Sequence, residues 1–202
     1  MFNHHIYIAF ETILIKEVRR FTRIWLQTLV PPAITIGLYY LIFGNLIGRR
    51  IGEMGGYAYI DFIVPGLIMM AVIQNAYANV SSSFFSNKFQ HCIEEILVSP
   101  VPNYIILLGF VAGGMVRGLA VGLIVTLMSF VFTSLTIEHV WLTILVVLLT
   151  AMVFSLAGFI NALFANTFDD ISIIPTFVLT PLIYLGGVFY SIELLPAAGQ
   201  WI

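Results

Sequence analysis

The sequence predicts an all-α, polytopic membrane protein, and three observations carry that prediction. Of 202 residues, 60% are hydrophobic and only 9% are charged, whereas soluble domains carry about 25% charged residues. The mean hydropathy is +1.04. Five stretches without charge are also long enough to cross a bilayer, which needs about 20 mostly apolar residues. Together these features predict five transmembrane helices.

The same composition excludes several functional classes. A net charge of −2 gives no basic surface for nucleic acid, and a single cysteine allows neither an internal disulfide nor a thiolate cluster for a metal. The sequence has no G-x-x-x-x-G-K-[ST] phosphate loop and no H-E-x-x-H zinc motif. We therefore expect no catalytic residues, no cofactor and no metal, and a membrane-embedded enzyme is a weak alternative.

Residues 1–23 predict an amphipathic helix before the first span. Its apolar residues at helical spacing are Phe10, Ile13, Leu14, Val18, Phe21 and Trp25, and the cations beside them are Lys16, Arg19, Arg20 and Arg23. Such a helix lies in the interface of an anionic leaflet. Packing against other helices is the alternative, and the two are compatible.

The membrane region is expected over residues 24–192. Its predicted spans are Ile24–Ile47, Phe62–Val80, Gly118–Ile137, Val140–Phe168 and Ile171–Ile192. Pro31-Pro32 predicts a kink early in the first span. Arg117 interrupts an apolar stretch, and a charge at the bilayer centre costs at least about 2.5–3.5 kcal/mol. We therefore predict a break at Gly113-Gly114, with Asn103–Val116 as an interfacial segment. The alternative is one long helix with Arg117 paired inside it.

The distribution of Lys and Arg predicts a cytoplasmic N-terminus. With that orientation six cations lie inside, and Arg49 and Arg50 lie outside. The six are Lys16, Arg19, Arg20, Arg23, Lys88 and Arg117. The sequence stops at Trp201-Ile202 after Pro196 and Gly199, as if a further apolar element were beginning. We therefore expect it to be a piece of a longer chain.

The loop at residues 86–102 is the most informative polar segment. Phe89, Ile93, Ile96 and Leu97 share one helical face, and Pro100 and Pro102 end the helix. A short amphipathic helix outside the bilayer can dock in the groove of a partner protein. A helix lying on the lipid surface is an equally good interpretation of the composition.

Weaker signals lie inside the predicted spans. Glycines four residues apart at Gly109/Gly113, Gly114/Gly118 and Gly118/Gly122 allow close helix approach. The candidates for polar residues lining a translocation path are Gln74, Asn75, Asn79 and Asn161. Hydrogen bonds between helices are the alternative role for these four.

Several motifs, in order along nearly the whole chain, resemble the ABC-2 type transporter permeases, the membrane subunits of bacterial ABC exporters. The likeness is greatest to an inner-membrane permease type of enteric bacteria. The P-G-L and E-E-[IL]-L-x-[AS]-P motifs in register are specific. The matching segments are Val30–Pro32, Phe43–Gly44, Phe62–Leu67, Asn79–Phe84, Glu94–Pro102, Phe168–Asp170 and Tyr184–Ser191.

This resemblance implies six spans, cytoplasmic termini, and a complex of two permease subunits with two separate ATPases. The sixth span would be missing here. The resemblance implies that the Lys88–Pro102 loop is the coupling helix on which the ATPase docks. The implied contact residues are Lys88, Phe89, Glu94, Glu95, Leu97, Pro100, Pro102, Asp169 and Asp170.

We therefore expect a multi-pass permease of the bacterial inner membrane that exports a substrate, contacts lipid and binds an ATPase and a second permease subunit as a homodimer. A non-transporting membrane scaffold or assembly protein is the alternative function.

Overall fold

The structure is a computed structural model and describes residues 2–54, 56–133 and 139–190. It is helical apart from one small hairpin. The α-helices are α1 (Phe2–Arg23), α2 (Trp25–Thr28), α3 (Val30–Tyr39), α4 (Gly48–Ile51), α5 (Tyr59–Phe89), α6 (Cys92–Val98), α7 (Asn103–Ser129), α8 (Val140–Phe164), α9 (Phe168–Ile174) and α10 (Thr180–Leu185). Two π-helical stretches are Tyr40–Ile47 and Pro175–Leu179, and the hairpin strands are β1 (Glu53–Met54) and β2 (Tyr57–Ala58).

The prediction of an all-α membrane fold with five spans is confirmed. Within the described ranges, five helical segments are long and apolar enough to cross a membrane. They are Trp25–Gly44, Tyr59–Phe89, Asn103–Ser129, Val140–Phe164 and Phe168–Leu185. The second and third are the buried pair, since 50% and 56% of their apolar windows are buried, whereas the other three are mostly exposed. Helix α5 is central and packs on both α7 and α8.

The predicted break at Gly113-Gly114 is wrong. Helix α7 runs without interruption from Asn103 to Ser129, so Asn103–Val116 is part of the third span and Arg117 lies inside it. The Arg117 guanidinium donates to Oδ1 of Asn75 at 3.4 Å, as in the alternative of one long helix. The predicted end of this span, residues 134–137, lies outside the described residues.

The glycines of α7 do not break the helix because each of them lies against a neighbouring helix. A Cβ on Gly109 would lie 2.6 Å from Ile13, and one on Gly113 would lie 2.5 Å from Cβ of Glu17. Gly114 and Gly118 face Val80 and Ala76 of α5 instead. One glycine pair therefore seats α1 and the other seats α5, and close packing offsets the conformational cost of glycine in a helix.

The first span is interrupted at Leu29, just before Val30 and Pro31-Pro32, where a kink was predicted. The buried Thr28 hydroxyl donates to the carbonyl of Phe21 at 2.9 Å and thereby ties the span to the end of α1. Residues 1–23 were predicted to be helical, and α1 is a helix that packs along α7.

The fifth span is assembled from α9, a π-helical stretch and α10. The predicted end of this span, residues 191 and 192, lies outside the described residues. The first and fifth spans meet beside the hairpin, where the hydroxyls of Tyr39 and Tyr184 lie 3.1 Å apart and the Phe189 ring packs on both tyrosines. We call this end of the bundle the hairpin end and the opposite one the α6 end.

Candidate partner-docking site

Helix α6 stands at the end of the bundle as a short, firmly seated element. His91 leaves α5 in the left-handed conformation (φ 59°), which turns the chain sharply, and the extended Ser99 ends α6 ahead of Pro100 and Pro102. Ile93 is buried in a cluster that includes Phe85, and partly buried Ile96 packs against the same cluster. The helix is therefore packed against the ends of the long helices.

The outward face of α6 combines apolar and acidic side chains. Leu97 and Val98 are 54% and 86% exposed, whereas Ile93 is buried. Phe89, which was predicted to share a helical face with Ile93 and Leu97, belongs to α5 instead. Glu94 and Glu95 are exposed in the first turn of α6, where carboxylates interact favourably with a helix N-terminus. Nδ1 of His91 lies 3.0 Å from Oε1 of Glu94. The prolines end the helix as predicted.

A second segment adjoins α6 at the junction of α8 and α9. The ring of Phe168 lies 4.9 Å from that of Phe85 and 5.0 Å from that of Phe89, centre to centre. Phe89 and Phe168 are also more than half exposed. Asp169 is exposed beside them. We call the exposed face formed by α6, Phe89 and Phe168–Asp170 the α6 surface.

Two of the predicted contact residues are used inside the protein. Lys88 Nζ donates to the carbonyls of Leu163 at 2.8 Å and Ala165 at 2.7 Å, so its charge lies where α8 ends. One carboxylate oxygen of Asp170 accepts from the backbone N–H groups of Asn166 and Thr167, both at 2.9 Å, and completes a capping box at the start of α9. The partner contacts proposed for these two residues stay predictions.

A groove of about 340 Å³ opens beside α6. It is lined by Phe85, Lys88, Phe89, His91 and Asn166. Aromatic walls with a few polar atoms suit the insertion of a partner side chain.

Three of the four predicted path-lining residues form hydrogen bonds between helices. Asn75 accepts from Arg117, and Asn79 Oδ1 accepts from Arg20 at 2.8 Å. Asn161 donates to the carbonyl of Ile171 at 3.0 Å. Gln74 is partly exposed on α5. These contacts agree with the alternative of interhelical hydrogen bonds, and a path-lining role remains a prediction.

Sequence reasoning missed the buried charges of α1. Glu17 is fully buried and lies at four-residue spacing between Ile13 and Phe21, which also face the bundle. The sequence did contain a signal for this burial, because Glu17 is a carboxylate on the apolar stripe of an amphipathic helix.

These features define a multi-pass helical membrane protein with an exposed acidic and apolar surface at one end. Within the described part of the chain, no group of three or more His, Cys, Asp or Glu side chains could hold a metal ion. The family model of the ABC-2 type transporter matches residues 8–202. The chain belongs to the ABC-2 type transporter family and is a transmembrane permease.

Relatives extend this assignment. The chain is 61% identical over 198 residues to "Inner membrane transport permease YadH" of Escherichia coli (strain K12), covering 98% of this chain and 77% of the relative. It is 25% identical over 170 residues to "Nodulation protein J" of Rhizobium leguminosarum bv. viciae, covering 82% and 64% of the two chains. The protein of the same name in Rhizobium meliloti (strain 1021) is also 25% identical over 170 residues, covering 82% and 63%. No solved structure matches significantly.

Proposed function

We propose that this chain is the membrane subunit of an exporter in the bacterial inner membrane, driven by a separate ATPase that docks on the α6 surface. The observation that carries the proposal is the seating of α6. Because Ile93 anchors this helix to the ends of the spans, a force applied to α6 passes into α5, α7 and α8. A partner that hydrolyses ATP can therefore move the spans without entering the membrane.

The chemistry of the α6 surface specifies the partner's complementary face. Exposed Glu94, Glu95 and Asp169 call for Lys or Arg on the partner. The exposed side chains of Leu97 and Val98 call for an apolar groove between those cations. We propose Glu94 and Glu95 as the principal polar contacts.

The proposed orientation places the α6 end in the cytoplasm. The Lys and Arg residues of the described chain concentrate there, on α1 and at Lys88, whereas Arg50 lies at the hairpin end. This asymmetry follows the preference of cytoplasmic segments for Lys and Arg. We further propose a second copy of the chain as partner, since the first and fifth spans expose long apolar faces. Gln74, Asn75, Asn79 and Asn161 remain proposed path-lining positions.

The test is recovery of the tagged chain from its native membrane in mild detergent, followed by mass spectrometry. We expect a stoichiometric soluble protein that carries a phosphate-binding loop. The double variant Glu94→Lys, Glu95→Lys should lose this partner and keep its helical content. The control is Glu53→Lys, which reverses an exposed carboxylate at the hairpin end and should keep the partner.

Two outcomes would overturn the proposal. One is recovery of the wild-type chain without any such ATPase, which would favour a scaffold. The other is equal recovery of the ATPase with the wild type and the double variant, which would place its contacts elsewhere.

A further inference from the structure

A cluster of charged side chains lies where α1, α5 and α7 meet, with Glu17 buried and both Arg20 and Arg117 partly buried. Glu17 is 0% exposed, and its Oε1 accepts from the Ser83 hydroxyl at 2.6 Å. The Arg20 guanidinium lies 3.4 Å from the other oxygen of Glu17 and donates to the carbonyl and Oδ1 of Asn79, at 3.0 and 2.8 Å. One turn away along α5, Asn75 accepts from Arg117. Three helices thus bring two guanidinium groups and one carboxylate together.

The charges of this cluster do not balance. With Arg20 and Arg117 charged and Glu17 ionised, two positive charges face one negative charge. The two guanidinium groups contact Asn79 and Asn75, which lie one turn apart on α5. A net positive charge in a partly buried site is unfavourable, and an anion would compensate it.

The hydrogen bonds have the same imbalance. Among the residues that the structure describes, three buried N–H groups of the cluster have no acceptor: Nε of Arg20, Nε of Arg117 and Nδ2 of Asn79. A bound water or ion can supply the acceptor that such a buried N–H group needs. Water could supply acceptor oxygens, but only an anion also supplies the missing negative charge.

The position of the cluster indicates where an anion could enter. Asn79 lies ten residues before the end of α5 at Phe89, or about 15 Å at 1.5 Å per residue. A centred α5, about 46 Å long, extends about 8 Å beyond each side of a hydrocarbon core about 30 Å thick. Asn79 then lies about 7 Å inside the core at the α6 end. The Arg20 side chain is 32% exposed, so this arginine is accessible from outside the bundle.

We propose that the Arg20–Arg117 cluster is a binding site for a phosphate group, which approaches past Arg20 from the lipid–water boundary at the α6 end. The guanidinium group presents its N–H donors in a fixed planar geometry that matches the oxygens of a phosphate. A phosphate would also supply the missing negative charge. The phosphate could belong to a lipid headgroup or to a free anion. The site does not depend on the ATPase and goes beyond the proposed transport function.

The experiment measures binding of phosphatidylglycerol to the purified full chain by native mass spectrometry. Uncharged diacylglycerol and inorganic phosphate serve as parallel probes. Hydrogen bonds to charged groups contribute about 1.5–3 kcal/mol each, so Arg20→Gln and Arg117→Gln should each weaken binding about tenfold or more. The matched control is Arg19→Gln, which removes an exposed arginine from the same helix and should change affinity less than about twofold.

If the phosphate belongs to a lipid headgroup, phosphatidylglycerol binds and inorganic phosphate does not compete with it. If the ligand is a free anion, inorganic phosphate competes with phosphatidylglycerol. Either result, with loss in both glutamine variants at the cluster, supports the site. Equal loss in Arg19→Gln, or no loss in any variant, overturns it. If the variants at the cluster fail to fold, a phosphatidylglycerol with a photoreactive headgroup is crosslinked to the wild type. Attachment to the peptide that contains Arg20 supports the site, and attachment solely elsewhere overturns it.

Discussion

Replacing Lys88 by Met should destabilise the bundle and loosen the α6 surface together. Lys88 Nζ donates two hydrogen bonds, to the carbonyls of Leu163 and Ala165. A hydrogen bond to a charged group contributes about 1.5–3 kcal/mol, but one of these two is solvent-exposed, so the pair should contribute about 1–3 kcal/mol in all. Met keeps the apolar length of the side chain and removes only the charge and the donors.

The assay is unfolding in SDS followed by circular dichroism, with ATPase recovery measured in parallel. The matched control is Lys16→Met, because Lys16 Nζ donates one exposed hydrogen bond to Asn87 and should contribute less than about 1 kcal/mol. A Lys88→Met variant as stable as the wild type that nevertheless loses the ATPase would refute this reasoning. It would show that Lys88 contacts the partner directly, as the resemblance alone implied.

Three further substitutions, the first with a matched control, test helix packing, the cap of α9 and the seating of α6. Gly158→Ala places a Cβ 2.5 Å from the backbone oxygen of Tyr77 and should destabilise the bundle by about 1–3 kcal/mol. The control is Gly37→Ala, whose Cβ meets only the flexible end of Met128. This control should be neutral or stabilising in the same SDS titration. Thr167→Ala removes the cap of α9 and should cost about 1 kcal/mol; an unchanged SDS midpoint would contradict the role of the capping box. Ile93→Ala removes the anchor of α6, so hydrogen exchange of residues 92–98 should accelerate while α5 stays protected. Equal protection in both proteins would mean that Ile93 does not hold α6.

The number and approximate position of the spans could be predicted because the bilayer imposes a length and a polarity on each helix. The end of α6 could also be predicted, since Pro100 and Pro102 act locally. Helix α7 could not. The apparent break at Gly113-Gly114 is overridden by tertiary contacts with Glu17 and Val80, and these depend on residues distant in the chain.

The candidate site shows the same division. The acidic and apolar side chains of α6 could be identified from their spacing, because helical periodicity fixes which residues share a face. The approach of Phe168 to Phe89 could not be predicted, because it depends on how α8 packs on α5. The buried position of Glu17 was missed for a related reason. The cations of α1 predicted a helix in the lipid interface, but this helix also packs along α7.

The most direct test of the central claim uses Cys92, the single cysteine of the sequence, which is partly exposed at the start of α6. Its reaction with a membrane-impermeant maleimide is followed by peptide mass spectrometry in intact cells and in inverted vesicles, before and after a urea wash that removes peripheral proteins. If the ATPase covers the α6 surface on the cytoplasmic side, Cys92 reacts only in inverted vesicles and faster after the wash. Labelling in intact cells, or the same rate before and after the wash, would contradict the account.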